Sequence, residues 1–121
     1  METYKDIEAV YAETRQQWRE WLEKNGQLKK EVWLIIYHKK SPTPSVYYPE
    51  AVEEGLCFGW IDSVKNKRDA ESVYQRFSPR KPKSNWAPSN IARVERLTKD
   101  GLMTEHGQKF VDIAKEAGKW S

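Results

Sequence analysis

The sequence predicts an α+β domain, a small antiparallel-rich sheet made of a central strand and a β-hairpin and packed with about four helices. Three observations lead there. Val32 to Tyr37 is the longest apolar run, six β-branched, aromatic and aliphatic residues, the pattern of a strand buried on both faces. Trp60–Lys65 and Ser72–Ser78 alternate about the turn-forming Asn66-Lys-Arg-Asp69, which reads as a hairpin. Four further stretches carry helical spacing with start or stop residues beside them. At 121 residues the chain suits one domain, 1–121, with a single core.

In chain order, Ile7, Val10, Tyr11, Trp18, Trp21 and Leu22 follow the i, i+3, i+4 spacing of an amphipathic helix. Asn25-Gly26 is its expected end, with Gly26 as a left-handed cap. Glu31 to Lys39 is the central strand, and the Ser41-Pro-Thr-Pro-Ser45 loop cannot pair in a sheet because proline lacks an N–H. Pro49 suits the first turn of a short helix running through Ala51, Val52 and Leu56 to a stop at Gly59. In the hairpin, alternation puts Trp60, Asp62 and Val64 on one face. It puts Tyr74, Arg76 and Ser78 on one face of the second strand, with Val73, Gln75 and Phe77 on the other. An Asp62–Arg76 ion pair across the hairpin is expected if the register brings them together. Pro79-Arg-Lys-Pro82 is a stiff basic loop. Pro88 opens a helix with Ile91, Val94 and Leu97 as its buried stripe and Gly101 as its stop. Thr104 caps a last helix, Glu105 to Ala117, packed through Phe110, Ile113 and Ala114 and ending at Gly118.

Composition narrows the function classes. Hydrophobic content is 38% and charged content 32%, with six Trp, six Tyr and three Phe to fill a core, which argues against disorder. No apolar run is long enough to span a bilayer, and the N-terminal residues lack a signal-peptide pattern. A single cysteine fits a reducing compartment, so a cytoplasmic protein is expected. Cys57, between Leu56 and Phe58, reads as a buried and inert thiol. The net charge of +3 conceals an asymmetry: residues 1–62 hold 8 Lys and Arg against 11 Asp and Glu, and residues 63–121 hold 13 against 7. Within Val64–Arg96 the balance is 9 against 3, an anion-attracting face or a solvated basic surface.

The candidate site residues are Trp60, Asp62, Arg76, Arg80, Ser84, Asn85, Trp86, Asn90 and Arg93. Arginine forks hold phosphate or carboxylate through paired N–H donors. Ser84, Asn85 and Asn90 add neutral hydrogen-bonding groups near a helix N-terminus, and Trp60 or Trp86 offers a stacking surface. No metal-ligand cluster, phosphate loop or dinucleotide fingerprint is present, so no cofactor is expected.

Leu56-Cys-Phe-Gly-Trp-Ile-Asp62, Gln75-Arg-Phe-Ser-Pro-Arg80, Ser84-Asn-Trp86 and Asn90-Ile-Ala-Arg-Val-Glu-Arg-Leu97 stand in an order that resembles the bacteriocin-protection, YdeI- or OmpD-associated family. Trp18-x-x-Trp21-Leu22 before Val32-Trp-Leu34 matches that family's opening, and Gly101-Leu-Met-Thr104 to Gly118-Lys-Trp120 its end. The resemblance spans nearly the whole chain. It implies a compact bacterial α+β domain and supplies no catalytic residue. Its signature positions fall on Trp60, Asp62, Arg76, Phe77, Arg80, Ser84, Asn85, Trp86, Asn90 and Arg93.

Three functional readings stay open. In the first, a small phosphate- or carboxylate-bearing ligand binds in a cleft between the hairpin and the helix carrying Asn90 and Arg93. In the second, the polar cluster is architecture and the chain docks a protein partner, for which an exposed Trp86 would speak. In the third, the chain is a hydrolase-like enzyme, with His38 as base to Ser78 or Ser84, or with Asp62 paired to Glu95. Nucleic acid is a weaker partner, since +3 is modest for a dedicated binder.

Overall fold

The computed structural model describes residues 1–120. The chain runs β1 (Glu2–Tyr4), β2 (Ile7–Tyr11), α1 (Arg15–Asn25), β3 (Val32–Tyr37), α2 (Tyr48–Cys57), β4 (Trp60–Lys67), β5 (Ser72–Pro79), α3 (Pro88–Lys99) and α4 (Glu105–Glu116). The five strands form one mixed sheet in the order β1-β2-β3-β5-β4, with β2 and β3 parallel and every other neighbour antiparallel. Together with the four helices this is the α+β architecture that the sequence predicts.

The central strand lies where expected, between β2 and β5. Val32, Leu34 and Ile36 join the helix-side core, while Trp33 and Ile35 face the other way. That core also takes Trp18 and Leu22 from α1, Ala51, Val52, Leu56 and Cys57 from α2, Ile91, Val94 and Leu97 from α3, and Val111 and Ala114 from α4. α2 touches all three other helices as well as β4.

The first helix is shorter than its periodicity suggests. Ile7–Tyr11 is a strand, and the helix begins only after Thr14, whose side chain accepts the Gln17 N–H at 3.2 Å. Ile7-Glu-Ala-Val-Tyr also fits strand alternation, and pairing with both β1 and β3 decides the contest. β1, only three residues long, is an additional strand beyond those the sequence predicts. It turns into β2 through Lys5 and Asp6, at φ 50° and 64°, the two positive angles of a tight hairpin turn.

Gly26 does not take the left-handed conformation expected of it; its φ is −61°. It is glycine for lack of space, because a Cβ there would come within 2.5 Å of the Leu22 carbonyl oxygen. Gly59 does adopt φ +77° and ends the α2 segment as predicted. α3 buries its expected stripe. At the start of α4, Thr104 accepts from Gly107 N at 3.4 Å and donates to Cys57 O at 2.5 Å, which ties α4 to the end of α2. In α4 the fully buried residues are Gly107, Val111 and Ala114, with Phe110 and Ile113 half-buried beside them.

Among the described residues no helix covers the back of the sheet. Ala9, Trp33, Ile35 and Tyr74 form a small second cluster there, flanked by Tyr4, Ile7 and Tyr37. Side chains from β1 reach across to close it: Tyr4 stacks on Tyr74 at 4.2 Å and meets Trp33 edge-on at 5.1 Å. The Glu2 carboxylate takes Arg68 Nε at 2.8 Å and Nη2 at 2.9 Å and also accepts from the Tyr74 hydroxyl.

Candidate functional site

The hairpin register decides which of the candidate residues meet. Asp62 stands opposite Phe77, and Trp60 opposite Pro79, so Asp62 shares the helix-side face. Arg76 stands opposite Trp33 on the back. The expected Asp62–Arg76 ion pair is therefore absent, since the register puts the two on opposite faces. Arg76 pairs instead with Glu31 at 3.0 Å. Val64 leaves the alternation too, because the pairing shifts between Asp62 and Lys65 in a bulge that turns Val64 outward.

Trp60 is a core residue whose indole donates to Gly26 O at 3.0 Å. Asp62 is half-buried and accepts the Tyr48 hydroxyl at 2.5 Å. Burial together with the neighbouring Asp62 pushes the Tyr48 phenol up to about 12, against the pull of Arg93 nearby. On α3, Arg93 Nη1 donates to Asn90 Oδ1 at 3.0 Å.

Arg80 is the unusual member. Its backbone N–H donates to Gly59 O at 2.8 Å, extending the hairpin by one bond. Its guanidinium stacks on Trp86 at 3.7 Å from the ring centroid and donates from Nη2 to Asn85 O at 2.9 Å. The residue is 5% exposed, yet Nε and Nη1 meet no acceptor, and no carboxylate pairs with it among the described residues. Burial lowers its proton affinity to about 10, with only the charge of Asp62 opposing. At neutral pH it is thus a buried cation that lacks a bonded counter-charge, a costly arrangement. In the same loop Ser84 Oγ is also buried without a partner. Trp86 is 9% exposed and packs edge-on against Trp120 at 5.1 Å. Lys119 Nζ donates to Lys83 O at 2.6 Å, so the C-terminal residues hold this loop down.

The structure therefore gathers Arg80, Ser84, Asn85 and Trp86 in one loop, with Asp62 electrostatically coupled to Arg80 and the Asn90–Arg93 pair coupled through Arg93 to Tyr48. Trp60 serves the core, and Arg76 lies on the far face. Arg96 is engaged by Glu53. A cavity of about 370 Å³ adjoins Asp62, lined by Ile36, His38, Tyr48, Ser63, Lys65, Val73 and Gln75. His38 opens into this cavity, whereas Ser78 stands opposite Ile61 on the back of the sheet. Glu95 lines a separate crevice against α4. Cys57 is buried and its thiol is pushed up to about 11 by burial. Among the described residues no group of three or more His, Cys, Asp or Glu side chains is placed to hold a metal ion, and no helix is long and apolar enough to cross a membrane.

Two groups escaped sequence reasoning. Tyr48 carries no signal except its place beside Pro49 at a helix start. Glu54 is buried and bound by Arg15 at 2.6 Å and Arg19 at 2.9 Å. An acid inside the apolar stripe of α2, with two arginines one turn apart on α1, was the available clue.

These features define a small α+β domain with a buried, incompletely bonded arginine and a separate cavity of mixed lining beside Asp62. Residues 10–110 match the family described as Domain of unknown function (DUF8412), and the chain belongs to that family. No curated protein and no solved structure matches it significantly.

Proposed function

We propose that the chain binds a small anion bearing a carboxylate or phosphate group, and that Arg80 is the residue that takes it. The observation carrying this reading is the buried guanidinium with Nε and Nη1 unbonded, stacked and oriented by Trp86. An arginine that only locks architecture has its donors met, as Arg68 does through Glu2, Tyr37, Asp69 and Ser72. Arg93 is the second cation near the site. The buried Trp86 does not offer the exposed aromatic that a protein-docking reading would use. The single buried thiol supports a cytoplasmic ligand pool. The shared motif order is the ground for proposing kinship between this unknown-function family and the bacteriocin-protection family.

Isothermal titration with inorganic phosphate and with butanoate tests the reading at low salt. We expect saturable binding to the native chain and loss of it in Arg80→Met, with unchanged circular dichroism. An anion at a hundred times its dissociation constant adds about 2.7 kcal/mol to stability, so a thermal shift of several degrees accompanies it. Equal titration curves for the native chain and Arg80→Met would overturn it.

A further inference from the structure

We infer that the ligand also carries a hydrogen-bond donor, an ammonium or hydroxyl group, seated in the cavity beside Asp62. This deepens the anion reading and rests on it. Two of the side chains lining the cavity, Gln75 and Asp62, offer acceptors. Gln75 is 2% exposed, and its Nε2 faces the carbonyl oxygens of Ser63, Val64 and Arg76 at 3.3, 3.2 and 3.3 Å. Three carbonyls around one nitrogen fix which way the amide is turned. The free end is Oε1, an acceptor that no described protein donor reaches. The bulge in β4 creates this arrangement, because the unpaired carbonyls of Ser63 and Val64 are what Gln75 caps.

Asp62 is the second acceptor. Tyr48 bonds Oδ2 and leaves Oδ1 available, while the phenol, having given its proton to that bond, presents only lone pairs. Ile36 and Val73 provide an apolar floor, and His38 and the Lys65 cation are exposed at the mouth. About 370 Å³ is room for a small molecule.

Electrostatics joins the two halves. A bare anion on Arg80 would sit in the field of the Asp62 carboxylate, whose charge acts on that guanidinium. A ligand that brings its own donor to Asp62 offsets this repulsion and satisfies acceptors that are otherwise left to water. The two sources of such a donor, an amino acid and a phosphorylated sugar, share this chemistry and are separable by experiment.

The test is titration of the full chain with matched probes: 4-aminobutanoate against butanoate, and glucose 6-phosphate against inorganic phosphate. In at least one pair the donor-bearing probe should bind about tenfold tighter, the gain of one charge-assisted hydrogen bond. Asp62→Ala should collapse that ratio to about one. On the native chain, the Gln75 side-chain amide resonances should shift with the favoured donor-bearing probe and stay in place with its bare partner. Equal affinities within both pairs, or a ratio that survives Asp62→Ala with a silent Gln75 amide, would overturn the inference while the anion reading stands. If no probe binds either the native chain or Arg80→Met, both fall together.

Discussion

Arg68 and Arg80 are both largely withdrawn from water, and their surroundings are opposite. Arg68, with 23% side-chain exposure, is gripped side-on by Glu2 and shared among Tyr37, Asp69 and Ser72, which raises its proton affinity above that of a free arginine. Arg80 has one backbone carbonyl and a tryptophan face, and its proton affinity is lowered to about 10. Bonded charge-to-charge contacts hold the back of the sheet closed at Arg68. At Arg80 the fold retains a charge it does not neutralise. The difference separates an arginine bonded into the architecture from one whose Nε and Nη1 meet no partner.

Breaking the first partner should have the largest effect. Arg68→Met leaves Glu2 beside Tyr74 without its cation and strips the Tyr37 and Ser72 hydroxyls of a donor. We expect a loss of about 2–3 kcal/mol, read as a lowered urea midpoint, with anion binding retained.

Glu2→Gln probes the same contact from the acid side and should cost about 1–2 kcal/mol. The hydrogen bonds from Arg68 and Tyr74 hold the Glu2 carboxyl below its ordinary range. Its contribution is therefore complete above the unfolded carboxyl value and fades as the pH falls through the folded one. Glu53 and Asp69 are lowered in the same direction. Stability of the native chain should fall on acidification, and the fall should be shallower in Glu2→Gln. Superimposable pH profiles would remove Glu2 from the account.

Arg80→Met is the counterpart and should have the opposite sign. Replacing an unneutralised buried charge with an apolar side chain of similar length should raise stability by about 1 kcal/mol while abolishing anion binding. A loss of several kcal/mol would make Arg80 part of the architecture after all. The smallest effect concerns the turn behind Glu2. Lys5 and Asp6 both sit at positive φ, where asparagine and glycine are preferred. The double change Lys5→Asn, Asp6→Gly should stabilise by about 0.5–1 kcal/mol, measured by thermal melting, and should leave the Arg80 site untouched.

How much of this was legible follows the same division. Elements with a pattern longer than any competing one were readable: the run Val32–Tyr37, the hairpin, the α3 stripe, and Thr104 as a cap. Ile7–Tyr11 was not, because five residues satisfy helical and strand spacing alike and only the partners β1 and β3 decide. The pairing of Asp62 depended on a register that a bulge alters, which alternation alone does not reveal. For the site, residue types pointed to the Arg80 loop and to Asp62. Nothing local told Arg80 from Arg76 or Arg96. The distinction lies in which of them finds a carboxylate, a property of three-dimensional arrangement. Tyr48 and the freed oxygen of Gln75 are visible only there.

The contacts that close the back of the sheet join Glu2 to Arg68 and Tyr74, 66 and 72 residues further along the chain. During synthesis at roughly 5–20 residues per second, the first strand waits about 4–14 s for the segment that completes it. Through that interval Tyr4 lacks the Tyr74 ring that stacks on it, and the edge of β3 that β5 will take offers antiparallel pairing to any passing strand. A chaperone holding the first forty residues, or a slow translational step placed after Tyr74 instead of before it, would therefore govern how much of the newly made chain reaches the native state.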